Sequence, residues 1–124
     1  MTNDTELLFA YGTLTDTTRL QRLSGGPIRH LGRARTLGRL RRAGRYPQLI
    51  PGGRRWVWGR LFRLQRPDWD ALDRYEGCPP AFRGRLAYRR RLIPVTGPGG
   101  HHLAAWAYVA AAPQSRRCNN ARKA

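Results

Sequence analysis

At 124 residues and 40% hydrophobic content the chain is long enough to bury one core without metal or disulfide staples, and too short to divide into two domains. Its net charge of +17 is carried by 23 arginines and one lysine, Lys123; phosphate neutralisation accepts either cation, so a preference this one-sided points first to GC-rich coding and only second to a selected polyanion-binding surface. Cys78 and Cys118 stand 40 residues apart with no CxxC or Cys/His spacing, and there is neither a secretory leader nor a long apolar run, which argues against a disulfide framework, a metal centre and a membrane span and predicts a cytoplasmic protein with two reduced thiols.

Residues 7 to 11, Leu-Leu-Phe-Ala-Tyr, form an apolar run that predicts a buried strand, closed by Gly12. Thr15 or Asp16 then caps a short helix through about Leu23, with only Leu20 and Leu23 as an apolar pair, and Ser24-Gly25-Gly26-Pro27 ends it. Residues 28 to 42 alternate loosely between apolar residues and arginine, as a strand with one wet face would, with Gly32 and Gly38 as candidate bulges. Gly44-Arg45-Tyr46-Pro47 predicts a bend and Pro51-Gly52-Gly53 a turn.

Trp56 to Leu64 is a strand rich in aromatics with alternating sides. The period then changes, and Pro67 opens a helix through Asp68, Trp69, Leu72 and Tyr75 that delivers Glu76 and is stopped by Gly77. Tyr88 to Val95 and His102 to Val109 read as a hairpin turned by Gly97-Pro98-Gly99-Gly100. From Ala110 onward no pattern survives, so the expected folded domain spans residues 1–112 and residues 113–124 form a disordered basic tail. Five or six strands with two short helices predict an α+β domain built on a small, mixed, strongly curved sheet, closed into a β-barrel.

Two segments carry chemistry. Tyr11-Gly12-Thr13-Leu14 places a glycine at a strand end, where backbone N–H groups can approach a ligand because no Cβ stands in the way. Leu72-Asp73-Arg74-Tyr75-Glu76-Gly77 carries one of only two glutamates in the chain beside a second glycine. Read alone, Glu76 is a helix-terminal carboxylate pairing with Arg74, Arg83 or Arg89, and Tyr11 to Leu14 is an ordinary strand end. Together, from about Leu7 to Val109, the segments make the chain resemble the gamma-glutamyl cyclotransferase superfamily, including its gamma-glutamylamine cyclotransferase and plant pathogen-induced branches. Tyr46-Pro47 and Val57-Trp58-Gly59 match the same family and serve as fold markers.

The resemblance implies a small mixed barrel with helices at its rim and assigns roles within it. Glu76 is the implied catalytic acid/base; the backbone N–H groups of Gly12, Thr13 and Leu14 grip the glutamyl moiety; Tyr11 lines the pocket. Tyr88 corresponds to a pocket tyrosine, with Phe82 as the alternative counterpart at a shorter spacing. The substrate would be a small gamma-glutamyl compound, and no cofactor is implied. A gamma-glutamyl amide carries its own nucleophile, the α-amine, so closure to 5-oxoproline requires one group to take a proton from the ammonium and return it to the leaving amine, plus stabilisation of the oxyanion.

The remaining polar residues predict less. His101 and His102 follow a glycine turn and are expected to be exposed, and Cys78, two residues after Glu76, reads as a half-buried thiol. Two rivals to catalysis stay open: a non-catalytic member of the superfamily that binds a small ligand, and a basic nucleic-acid or acidic-protein binder on the same scaffold. The arginines are dispersed over residues 19 to 122, which predicts at most weak, non-specific nucleic-acid binding that disappears by physiological salt. The sequence leaves the oligomeric state undetermined.

Overall fold

A computed structural model describes residues 5–12, 15–43, 46–76 and 88–110, with backbone alone at 42, 43, 46 and 76. Five strands close into a barrel in the order β1 (Thr5–Ala10), β3 (Tyr46–Gln65), β2 (Ile28–Ala43), β4 (Tyr88–Thr96) and β5 (His102–Ala110), with helices α1 (Thr17–Ser24) and α2 (Trp69–Glu76) outside it. The barrel is mixed. Most neighbours run antiparallel, while β1 meets β5 in parallel at Leu8 and Trp106, and β3 meets β5 in parallel at Leu49 and Val109.

The apolar run of β1 is continuous because both of its faces are covered. Phe9 points into the barrel with Leu49, Val57, Leu61, Ile93, Val95 and Val109. Its neighbours Leu8 and Ala10 belong to a second cluster with Leu20 of α1, Leu72 of α2 and Phe62, Leu64 and Tyr108 of the strands. The helices thus press one apolar stripe each onto the outside of the sheet, which is how two eight-residue helices too short to stand alone are held. On β5, Ala105 and Ala107 are fully buried in the barrel core, and such small residues suit the tight interior of a five-stranded barrel.

Caps and bulges follow the local chemistry. Asp16 is the α1 cap, accepting from the N–H groups of Thr18 at 3.0 Å and Arg19 at 3.3 Å. The β2–β3 register shifts between His30 and Gly32 and between Leu37 and Gly38, at the two glycines expected to mark bulges. Val57-Trp58-Gly59 explains itself as a fold marker: a Cβ on Gly59 would lie 2.4 Å from the Ala10 carbonyl oxygen and 2.8 Å from the Phe9 ring. Only glycine lets β1 and β3 approach there.

Three local expectations need correction. Pro51-Gly52-Gly53 does not end a strand: β2 pairs Gly38 with Pro51 and Leu37 with Trp56, so residues 52–55 bulge out of one continuous β3, and the left-handed φ of Gly52 (97°) and Gly53 (102°) shapes the bulge. Tyr46 and Pro47 belong to β3 itself, paired with Ala43 and Arg42, and not to a bend; the rest of that expectation, Gly44 and Arg45, lies outside the described residues. Pro67 precedes α2, which starts at Trp69 behind Asp68, whose carboxylate accepts the Ala71 N–H at 3.1 Å. The expected tail at 113–124, the stop at Gly77, and Cys78 and Phe82 also lie outside the described residues. His101 and His102 are exposed, as expected.

Candidate functional site

Tyr11 leaves β1 packed against the barrel core, its ring stacked near Phe9 with centroids 6.3 Å apart. Its hydroxyl donates to the Tyr108 carbonyl of β5 and accepts the Leu49 N–H of β3 at 2.9 Å. One phenol therefore ties β1 to the parallel seam between β3 and β5. The next residue, Gly12, gives its carbonyl to Thr15, whose N–H and Oγ1 reach it at 3.0 and 2.7 Å. Among the described residues no heavy atom lies within 4 Å of where a Gly12 Cβ would stand, and its backbone is not left-handed. Among the described residues the space that a side chain would fill is thus open. Thr13 and Leu14 lie outside the described residues.

Tyr88 opens β4 opposite Ala110, and its hydroxyl donates to the Pro47 carbonyl at 3.1 Å. Since Tyr11 reaches Leu49, two residues further along β3, the two tyrosines expected at the site meet the same short stretch of that strand. Beside it Gln48 is 2% exposed and accepts from Arg41 Nη2 at 2.9 Å, which places a buried amide at this end of the barrel.

Glu76 is the last residue of α2, and its side chain is not among the described ones. What the structure does show is how the helix carrying it is held. Asp73, one turn earlier, accepts from Arg90 Nε at 2.9 Å, from Arg90 Nη2 at 3.2 Å and from the Tyr108 hydroxyl at 2.6 Å. The forked contact is the geometry in which an arginine and a carboxylate reinforce each other best. The Arg90 guanidinium lies 4.2 Å from the Trp69 ring centroid and 4.9 Å from that of Trp106, whose Nε1 donates to Glu6 at 3.1 Å. Tyr108 therefore touches both halves of the site: its hydroxyl holds α2, and its carbonyl receives Tyr11.

Sequence reasoning did not single out Asp73, Arg90, Tyr108 or Gln48. Asp73 carried a usable signal, since a residue three positions before Glu76 shares its helix face. The others carried none, because their partners are brought close only by strand pairing and by the packing of α2 on the barrel.

The comparisons bear on the family and the fold. The family model for gamma-glutamyl cyclotransferase, AIG2-like proteins matches residues 8–123. Among solved structures, an AIG2-like protein from Mus musculus superposes with a TM-score of 0.70 at 25% identity, over 90% of this chain and 82% of that one. An uncharacterized protein from Homo sapiens gives 0.69 at 17% identity over 89% and 69%. A gamma-glutamyl cyclotransferase gives 0.66 at 17% identity over 86% and 67%. No curated protein matches the sequence. With the family model covering nearly the whole chain and the fold shared along most of its length, the chain belongs to the gamma-glutamyl cyclotransferase, AIG2-like family.

Proposed function

We propose that the protein is a cyclotransferase that converts a small gamma-glutamyl amide into 5-oxoproline and a free amine, with Glu76 as its proton carrier. The observation that supports this reading most is the anchoring of α2 through Asp73 to Tyr108, whose carbonyl also receives the tyrosine before Gly12. The two family motifs are thereby joined through one strand residue.

In this reading the α-ammonium of the substrate gives a proton to Glu76. The freed amine attacks the γ-carbonyl carbon, forming the ring C–N bond and placing charge on the carbonyl oxygen. Backbone N–H groups of Gly12, Thr13 and Leu14 stabilise that charge. Collapse breaks the bond to the leaving nitrogen, which takes the proton from Glu76, and the ring nitrogen then gives its second proton through the regenerated carboxylate to the released amine, which departs as an ammonium ion, so atoms and charge balance. Binding the folded conformer of the substrate contributes several kcal/mol as effective concentration. Tyr11 and Tyr88 act from the pocket wall with hydroxyls committed to the backbone.

Residues 1–112 constitute the catalytic unit, and its compartment is the cytoplasm, in keeping with two cysteines lacking disulfide spacing. No helix among the described residues is long and apolar enough to cross a membrane. The test is release of 5-oxoproline from a panel of gamma-glutamyl dipeptides, gamma-glutamyl-lysine and gamma-glutamyl polyamines. Turnover of one class identifies the leaving amine; saturable binding across the panel without 5-oxoproline would instead indicate a ligand-binding member of the family.

A further inference from the structure

Between Asp16 and Asp68 the chain has 14 arginines and no acidic residue. In sequence these cations look scattered, but the pairing of β2 with β3 gathers several of them. On the outward face of that ribbon Arg33 stands opposite Arg60, Arg35 opposite Trp58, and Leu37 opposite Trp56. The residues between them, Ala34, Thr36 and Val57, are buried, so strict alternation sends all six to one side.

Further along the same face of β3, Phe62 and Leu64 are covered by α1 and α2. Where the helices stop, the face becomes polar and aromatic. Trp56 and Trp58 stay 44% and 49% exposed despite their size. The Arg35 guanidinium lies 4.1 Å from the Trp56 ring centroid and 5.5 Å from that of Trp58, and Arg33 lies 4.5 Å from Trp58. These contacts hold each guanidinium beside an indole, and a guanidinium so held still carries N–H groups that can donate to a phosphate.

We propose that this face binds single-stranded nucleic acid, with phosphates on Arg33, Arg35 and Arg60 and bases on Trp56 and Trp58. A phosphate needs planar N–H donors and a base needs a flat aromatic surface, and here the two alternate on one ribbon. The indoles are two residues apart on one strand, about 7 Å, which suits successive splayed bases. A duplex hides its bases and would engage the arginines alone. An acidic peptide or an anionic membrane would satisfy the cations without calling for regularly spaced stacking platforms. Nothing in the face reads base edges, so binding is sequence-independent.

The test measures fluorescence anisotropy of a labelled 12-nucleotide oligouridylate, a 12-base-pair RNA duplex, a polyglutamate peptide and phosphatidylglycerol vesicles against the full chain over a salt series. The single strand is expected to bind at least ten-fold tighter than the duplex. Trp56→Ala and Trp58→Ala are each expected to weaken it about five-fold or more, with Phe at either position restoring most of the loss. Arg33→Gln combined with Arg35→Gln should reduce the slope of log affinity against log salt by about 1.4. The variants are checked by circular dichroism, and if an alanine variant unfolds, the phenylalanine and glutamine variants decide. Equal binding of strand and duplex, indifference to the indoles, or tighter binding of polyglutamate or vesicles would overturn the proposal.

Discussion

The Leu49 N–H is received by the hydroxyl of Tyr11, 38 residues earlier in the chain, at 2.9 Å, on the residue where β3 and β5 run side by side in parallel. The same hydroxyl donates to Tyr108. A single phenol oxygen thus satisfies a donor and an acceptor at a seam where, among the described residues, the ladder holds one parallel pair. Tyr11→Phe keeps the ring and removes both bonds. It should cost about 1–3 kcal/mol, since a partly buried N–H and carbonyl lose their partner together, and the melting temperature should fall by several degrees. An unchanged melting temperature with lost turnover would move this hydroxyl from structure to chemistry.

Gly12→Val should lower turnover or substrate affinity while leaving the melting temperature nearly unchanged. Its backbone is not left-handed, and no described heavy atom lies within 4 Å of the position a Cβ would take. The branched side chain would therefore fill the space assigned to the glutamyl group without straining the strand end. Thermal melts beside steady-state kinetics separate this from a folding defect, which would appear as a loss of cooperative melting.

Gly59→Ala should do the opposite. Its Cβ would meet the Ala10 carbonyl oxygen at 2.4 Å, a backbone atom that yields only if β1 moves. Destabilisation of about 1–3 kcal/mol is expected in denaturant titrations, with substrate affinity per folded molecule retained. A variant as stable as the parent would show that β1 and β3 separate there at little cost.

Asp73→Asn keeps a hydrogen-bond acceptor for Tyr108 but loses the charge that holds Arg90. Asp73 and Arg90 are 27% and 23% exposed, so water screens the pair and the stability cost should be modest, about 1 kcal/mol. Turnover should fall more than stability, because the clamp sits one turn before Glu76 on an eight-residue helix. Steady-state kinetics should then show a reduced kcat with KM little changed, as expected when a proton-carrying group is misplaced and the substrate grip is intact. A KM increase with unchanged kcat would contradict a positioning role.

Much of the fold was legible because its signals are local. The continuous apolar run of β1 follows from cover on both faces, and the glycines at 32 and 38 lie where register shifts. Pro51-Gly52-Gly53 misled because proline and left-handed glycines are turn signals, whereas β2 resumes pairing at Trp56 and holds the excursion as a bulge. Motif and spacing put Glu76 and Gly12 forward for the proposed site. The contacts around them were not legible: Asp73 meets Arg90 and Tyr108 across 17 and 35 residues, and Tyr11 meets Tyr108 across 97. The arginines looked dispersed for the same reason, since only the β2–β3 register sets Arg33 and Arg35 beside Trp56 and Trp58.

Whether Glu76 carries the proton is decided by the release of 5-oxoproline from Glu76→Gln. Glutamine preserves shape and hydrogen bonding but takes no proton at neutral pH. Turnover of a gamma-glutamyl amide cleaved by the parent should therefore fall about 10²-fold or more, with substrate binding and melting temperature retained. Near-normal 5-oxoproline release by Glu76→Gln would remove Glu76 from the mechanism, and a collapsed melting temperature would assign it to a structural ion pair instead.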